Sequence, residues 1–384
     1  MRGWLLRFTL IPLGLLVGLL VFEGLLRLAT APTVGSGKSF FKSPPMVFDP
    51  VLGWRNQPGS WRFGATQVDG RWIPSHYEVN RLGFRGPEIS SRKPRGTTRI
   101  ICMGDSGTFG VLAVPRKNFG VPAVPGKKKG RKFVWRAVTS YPGALGERFA
   151  REGRDDVEVI NAGVTGYSST NALRQLMVQL LDLAPDILTL RLGANDSQPS
   201  WAPQRRPLEP SHPLTRFLLY RLHDWRSTRL LLRAYQDTKR FHPAARSVPW
   251  ATTERFRYNL ERIADEAHRR GIRVIFLDYP LVATHAFRRM PELDQAMRNV
   301  ARERGVPVLE TRSWLLAKDG EFYSSLDRVH PNERGARLLA QLLYEKLLSL
   351  GWIPDPEDDI RTSRLTKTRD ASRAGRPVMG HELL

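Results

Sequence analysis

The sequence predicts an α/β protein in which a parallel sheet is covered by helices on both faces, preceded by one N-terminal transmembrane helix. Three observations predict it. From Arg99 onward, short apolar runs alternate with amphipathic segments, the order that buries parallel strands between helical layers. Three of those runs end in turns rich in glycine and small polar residues, and the strand ends of a parallel sheet are where α/β proteins hold ligands. Phe8 to Leu28 is almost continuously apolar, and about 20 such residues suffice to cross a bilayer as a helix. At 384 residues, 41% of them hydrophobic, the chain can bury a full core.

In chain order, residues 1–32 read as a membrane anchor or signal peptide. Ala29-Thr30-Ala31 has the small-x-small pattern of a cleavage site, but Pro32 would follow the cut directly, so an uncleaved anchor is expected. Arg2 and Arg7 precede the apolar stretch, whereas Arg27, Lys38 and Lys42 end or follow it, which leaves its orientation open. Residues 33–98 are rich in Gly, Pro, Ser and aromatics without a sustained helical period, and read as an extension with short strands that packs on the main domain.

Residues 99–352 form that domain. Strands are expected at Arg99 to Met103, Val157 to Asn161, Ile187 to Leu192, Ile272 to Leu277 and Val306 to Glu310. Helices are expected at Tyr141 to Arg151, Asn171 to Leu183, Thr253 to Arg270 and Leu293 to Arg304, where apolar residues recur at three- and four-residue intervals. A last helix runs from Asn332, a good N-cap, to Leu350. Basic insertions interrupt this alternation near 111–136 and 205–250. The first carries Arg116, Lys117, Lys127, Lys128, Lys129, Arg131, Lys132 and Arg136, with no acidic residue between Ser106 and Glu147. The second reads as one or two basic amphipathic helices over Pro213 to Arg240. Residues 353–384 are a charged tail expected to be disordered.

The net charge of +23, from 60 Lys and Arg against 37 Asp and Glu, favours anionic partners such as phospholipid or acidic polysaccharide, although an arginine-rich composition accounts for it equally well. The chain has no zinc finger, RNP-like aromatic motif or basic heptad region, so no specific nucleic-acid partner is expected. Cys102 is the sole cysteine, which excludes an intrachain disulfide and a cysteine metal cluster. It lies in an apolar run and reads as a packing residue. The histidines lack ligand spacing, so no metal or cofactor is expected.

Gly104-Asp105-Ser106 follows the apolar run Ile100 to Met103, and Asp327-Arg328-Val329-His330 comes far downstream. A serine at a strand end, a later histidine and a nearby carboxylate are the parts of a nucleophile, its base and the base's orienter. Asn161 to Tyr167 supplies a second glycine-rich turn, able to present a backbone N–H, and Asn195 supplies an amide side chain at the third strand end. Taken singly, Ser106 is as easily a helix N-cap and Asn195-Asp196 a turn.

The four blocks in this order resemble the SGNH, or GDSL, hydrolase family, over roughly Arg99 to Leu350. The resemblance implies a flavodoxin-like three-layer α/β/α fold with a five-stranded parallel sheet. It implies Ser106 as nucleophile, His330 as base and Asp327 as its orienter, with the Ser106 and Gly166 N–H groups and Asn195 as oxyanion donors. Gly107 departs from the motif, which usually has leucine there. Asp49 to Arg55 and Asn80 to Pro87 resemble a membrane-anchored bacterial branch of the family more loosely.

The expected function is hydrolysis of an acyl ester, carbohydrate- or lipid-linked, by a membrane-anchored enzyme whose catalytic domain is periplasmic or extracellular. An O-acyltransferase acting on an envelope polysaccharide would use the same machinery. A noncatalytic envelope protein binding anionic polymer would keep the fold and need only the basic surface. The sequence leaves the acyl group, the acceptor and the oligomeric state open.

Overall fold

The computed structural model describes residues 2–29, 46–49, 51–68, 71–115, 133–198, 213–223, 225–238, 251–279, 289–313, 321–324 and 327–354. The charged tail beyond 354 and most of the first basic insertion therefore lie outside the described residues.

Helix α1 (Arg2–Ala29) is followed by two antiparallel hairpins, β1 (Met46–Asp49) with β2 (Gly53–Asn56) and β3 (Gly59–Val68) with β4 (Arg71–Val79). Strand β5 (Thr98–Gly104) leads into α2 (Ser106–Phe109), and a third hairpin follows, β6 (Val111–Pro115) with β7 (Phe133–Ala137). Then come α3 (Tyr141–Arg151), β8 (Val157–Asn161), α4 (Ser169–Gln175), β9 (Ile187–Arg191), α5 (Pro213–Arg221), α6 (Arg226–Thr238), α7 (Thr253–His268), β10 (Arg273–Leu277) and α8 (Met290–Arg304). The chain closes with β11 (Val308–Leu309), β12 (Tyr323–Ser324), β13 (Asp327–Pro331) and α9 (Glu333–Ser349).

The five-stranded sheet runs β11-β10-β9-β5-β8, with every pairing parallel. β5 is the first of these strands in the chain, yet it lies between β8 and β9, so the strand order reverses beside it. Open α/β sheets hold ligands at such a switch point, outside the carboxyl ends of the strands. One apolar cluster, including Met103, Leu190, Leu260 and Val300, lies on one side of the sheet. A second, including Ile100, Leu145, Leu339 and Leu343, lies on the other, because the strands alternate their side chains between faces. Cys102 is buried and unpaired, and burial pushes its thiol up to about 12.

Among the elements that depart from the sequence expectation are two helices. The helix foreseen from Asn171 to Leu183 starts at Ser169 and widens into a π-turn over Leu176–Leu180, then tightens into a 3₁₀ turn over Leu181–Leu183. At the N-terminus the apolar segment is helical, but among the described residues no helix is long and apolar enough to cross a membrane. Polar side chains interrupt its last turns. Glu23 is buried, accepting hydrogen bonds from the backbone N–H of Arg226 and Ser227 and from the Ser227 hydroxyl. A carboxylate so engaged caps the N-terminus of α6 and seats the end of α1 on the second insertion.

Candidate active site

The buried run of β5 brings the chain to Asp105, whose carboxylate accepts from the Gly107 N–H at 2.9 Å and caps α2. Ser106 is thereby fixed as the first residue of a one-turn helix at the sheet's carboxyl edge. Its Oγ lies 2.6 Å from Nε2 of His330. Both residues are largely buried, with 8% of each exposed. A hydroxyl and an imidazole at this distance form the pair from which a serine can pass its proton to a base.

His330 sits near the end of β13, and its ring meets that of Trp135 edge-on, with centroids 4.9 Å apart. The first insertion thus contributes a hairpin whose Trp135 packs against the imidazole. Arg136, the next residue, donates to Glu333 at the start of α9. The remaining basic residues singled out in this insertion, Arg116 to Lys132, lie outside the described residues. Asp327 opens the same strand as His330, and its side chain also lies outside them.

Gly166 occupies the turn after β8 with φ of 83°, in the left-handed region that favours glycine. That turn is tied to the nucleophile strand, since the Val164 N–H donates to the Gly104 carbonyl at 3.1 Å. Asn195 donates from Nδ2 to the Tyr167 carbonyl at 2.9 Å and, at a longer 3.4 Å, to Asp105. The structure therefore brings Ser106 and His330 into contact and joins the segments bearing Gly166 and Asn195 to the Ser106 turn. Asp196 beside it is fully buried, accepting from the Ser169 N–H and hydroxyl. Burial raises its carboxyl to about 6 despite those hydrogen bonds.

Several supporting residues were not foreseen. Arg85, from the extension, donates to the carbonyls of Phe109, Gly110 and Val138 at 2.6, 2.7 and 2.8 Å. Its guanidinium also lies against the rings of Tyr77 and Phe109. Arg191 at the end of β9 and Tyr279 after β10 are buried beneath the Ser106 turn. The sequence offered one signal for this group, the glycine at 107. Trp135 carried none beyond being aromatic within a basic segment.

The family model described as GDSL-like lipase/acylhydrolase matches residues 102–338. Among curated proteins none matches. Among solved structures, the lipase/acylhydrolase from Enterococcus faecalis is 20% identical with a TM-score of 0.42, over 65% of this chain and 95% of that one. The psychrotrophic esterase EstA from Pseudoalteromonas sp. is 14% identical with a TM-score of 0.39, over 66% and 98%. Axe2, an acetylxylan esterase from Geobacillus stearothermophilus, is 13% identical with a TM-score of 0.40, over 65% and 94%.

Proposed function

The chain belongs to the GDSL-like lipase/acylhydrolase family, serine hydrolases acting on esters, and from that premise we propose that it deacylates a carbohydrate- or lipid-linked ester through an acyl-enzyme on Ser106. The observation that carries this reading is the 2.6 Å contact between Ser106 Oγ and His330 Nε2. Ser106 Oγ bonds to the acyl carbon as its proton passes to Nε2, leaving a tetrahedral oxyanion. His330 then returns that proton to the leaving alcohol as the carbon–oxygen bond breaks. Water, deprotonated by the same imidazole, attacks the acyl-enzyme and releases the acid and free Ser106. Asp327 is assigned the second ring nitrogen, which fixes the tautomer that leaves Nε2 able to accept.

The Ser106 and Gly166 N–H groups and the Asn195 amide are assigned to the oxyanion. For Asn195, the long contact to Asp105 is the one an oxyanion would replace. The work takes place at a lipid surface: α1 turns Leu15, Leu25 and Leu28 outward, and α5 and α6 expose Phe217, Leu230 and Leu231 nearby, while the chain carries +23 charges. Outward apolar side chains on a strongly basic protein favour anionic lipid.

The test is fluorophosphonate labelling of the full chain in detergent, with the modified residue located by mass spectrometry. Labelling at Ser106 that vanishes in Ser106→Ala and falls at least about 100-fold in His330→Ala is expected. A folded wild type that takes no label would refute the acyl-enzyme.

A further inference from the structure

Arg191 has none of its surface exposed, and its Nε and both Nη atoms have no hydrogen-bond partner among the described residues. An unsatisfied buried guanidinium is costly, and one beside a reactive group calls for a reason. Its surroundings supply one. The guanidinium lies 3.9 Å from the centroid of the Tyr279 ring. The hydroxyl of that ring donates to Asp105 at 2.6 Å. Burial presses against the Arg191 charge, but its surroundings, the Asp105 carboxylate among them, outweigh it and hold the group above its ordinary value. Burial likewise keeps the Tyr279 phenol protonated and able to donate.

Position 107 explains how the cation fits. A Cβ there would stand 2.2 Å from Arg191 Nη1 and 3.2 Å from the Tyr279 hydroxyl. The guanidinium therefore fills the volume into which a side chain at 107 would project, and the leucine usual at this point of the motif has no room.

Asp105 gives that charge a task. Its carboxylate is buried next to Ser106, and no cation lies within ion-pair distance of it among the described residues. A negative charge so deeply buried opposes the negative charge that builds on the acyl oxygen, and burial weakens the screening that solvent would give it.

We propose that Arg191 is a positioning residue whose buried guanidinium, admitted by Gly107 and linked to Asp105 through Tyr279, balances the Asp105 charge beneath Ser106 so that the oxyanion forms over a neutral floor. This rests on the reading of Ser106 as nucleophile. The role is carried by charge, which separates it from packing.

The experiment follows hydrolysis of 4-nitrophenyl acetate by the full chain in detergent, with melting curves alongside. Arg191→Met is expected to lower kcat about ten-fold or more with KM within about two-fold, and Arg191→Lys to recover most of that loss. Gly107→Leu alone should melt well below wild type, and G107L/R191A should melt near it, because leucine then fills the vacated volume, while keeping the low kcat of Arg191→Met. A wild-type kcat in Arg191→Met, or in G107L/R191A if Arg191→Met fails to fold, overturns the proposal. Wild type that takes fluorophosphonate while Arg191→Met is unimpaired refutes this inference alone. Wild type that takes no label and hydrolyses nothing refutes the Ser106 reading and this inference with it.

Discussion

Arg85 is the residue whose removal most directly tests how the N-terminal extension supports the nucleophile. Its guanidinium donates three hydrogen bonds, two from Nη1 to the Phe109 and Gly110 carbonyls and one from Nη2 to the Val138 carbonyl. Phe109 ends the helix that Ser106 begins, so these bonds hold the far end of the nucleophile turn. Burial lowers the Arg85 pKa to about 10, so the group remains cationic at neutral pH. Hydrogen bonds from a charged donor contribute about 1.5–3 kcal/mol each before the cost of burying the charge. Leaving a buried carbonyl without its donor costs about 1–3 kcal/mol. Arg85→Met keeps much of the stem but none of the donors to three carbonyls, and the expected loss is about 3 kcal/mol or more, a fall in Tm of roughly 6 °C or more. Arg85→Lys should rescue only part of it, since an ammonium cannot span carbonyls reached by a planar fork. The assay is thermal unfolding by circular dichroism, with ester hydrolysis measured well below the transition. A Tm for Arg85→Met within about 3 °C of wild type, where less than ~1 kcal/mol has been lost, would refute the clamp.

Other substitutions probe separate links. Asp196 has a folded pKa raised to about 6 from an ordinary 3.8, so between these values the folded state binds more protons than the unfolded chain. Its contribution is full below about pH 4 and lost as pH rises through 6, on the order of 3 kcal/mol; Asp196→Asn should flatten Tm against pH across this window, and an unchanged slope would contradict the assignment. Gly163→Ala would place a Cβ 2.4 Å from the Phe109 backbone nitrogen, and backbone atoms cannot rotate away. A loss of about 1–3 kcal/mol with slower fluorophosphonate labelling is expected, and unaltered melting would show that the two turns have slack. Glu23→Ala strips the cap from α6 at a cost of about 1 kcal/mol, which hydrogen exchange should register as faster exchange in its first turn. Equal exchange in the two proteins would show that α1 does not hold α6.

Much of the α/β core was legible because its signals are local. Tyr141–Arg151 and Val157–Asn161 have the limits expected from periodicity alone, and Asn332 caps the last helix as its residue type suggests. The pairing of Ser106 with His330 followed from the motif, although the two are joined only by the closing of the whole sheet. Less legible was the end of the central helix after Gln175, where apolar spacing suits α, π and 3₁₀ turns alike. The last sheet strand was drawn from Val306 to Glu310 but pairs only at Val308 and Leu309, beyond Pro307, which has no N–H to donate.

By itself, then, the sequence determined the layered architecture and the order of the strand-end motifs, since each rests on spacing within one segment, and the family resemblance singled out the serine and histidine that the structure brings together. It could not decide where the insertions fold back. Only tertiary structure placed Trp135 on His330, Arg85 on the nucleophile turn, Glu23 on α6 and Arg191 under Gly107. Each of those contacts joins residues far apart in the chain, so its free energy depends on geometry fixed by the sheet, and no local pattern encodes it. A buried arginine and an exposed one look alike in a sequence; the glycine that makes room for it is the only trace left behind.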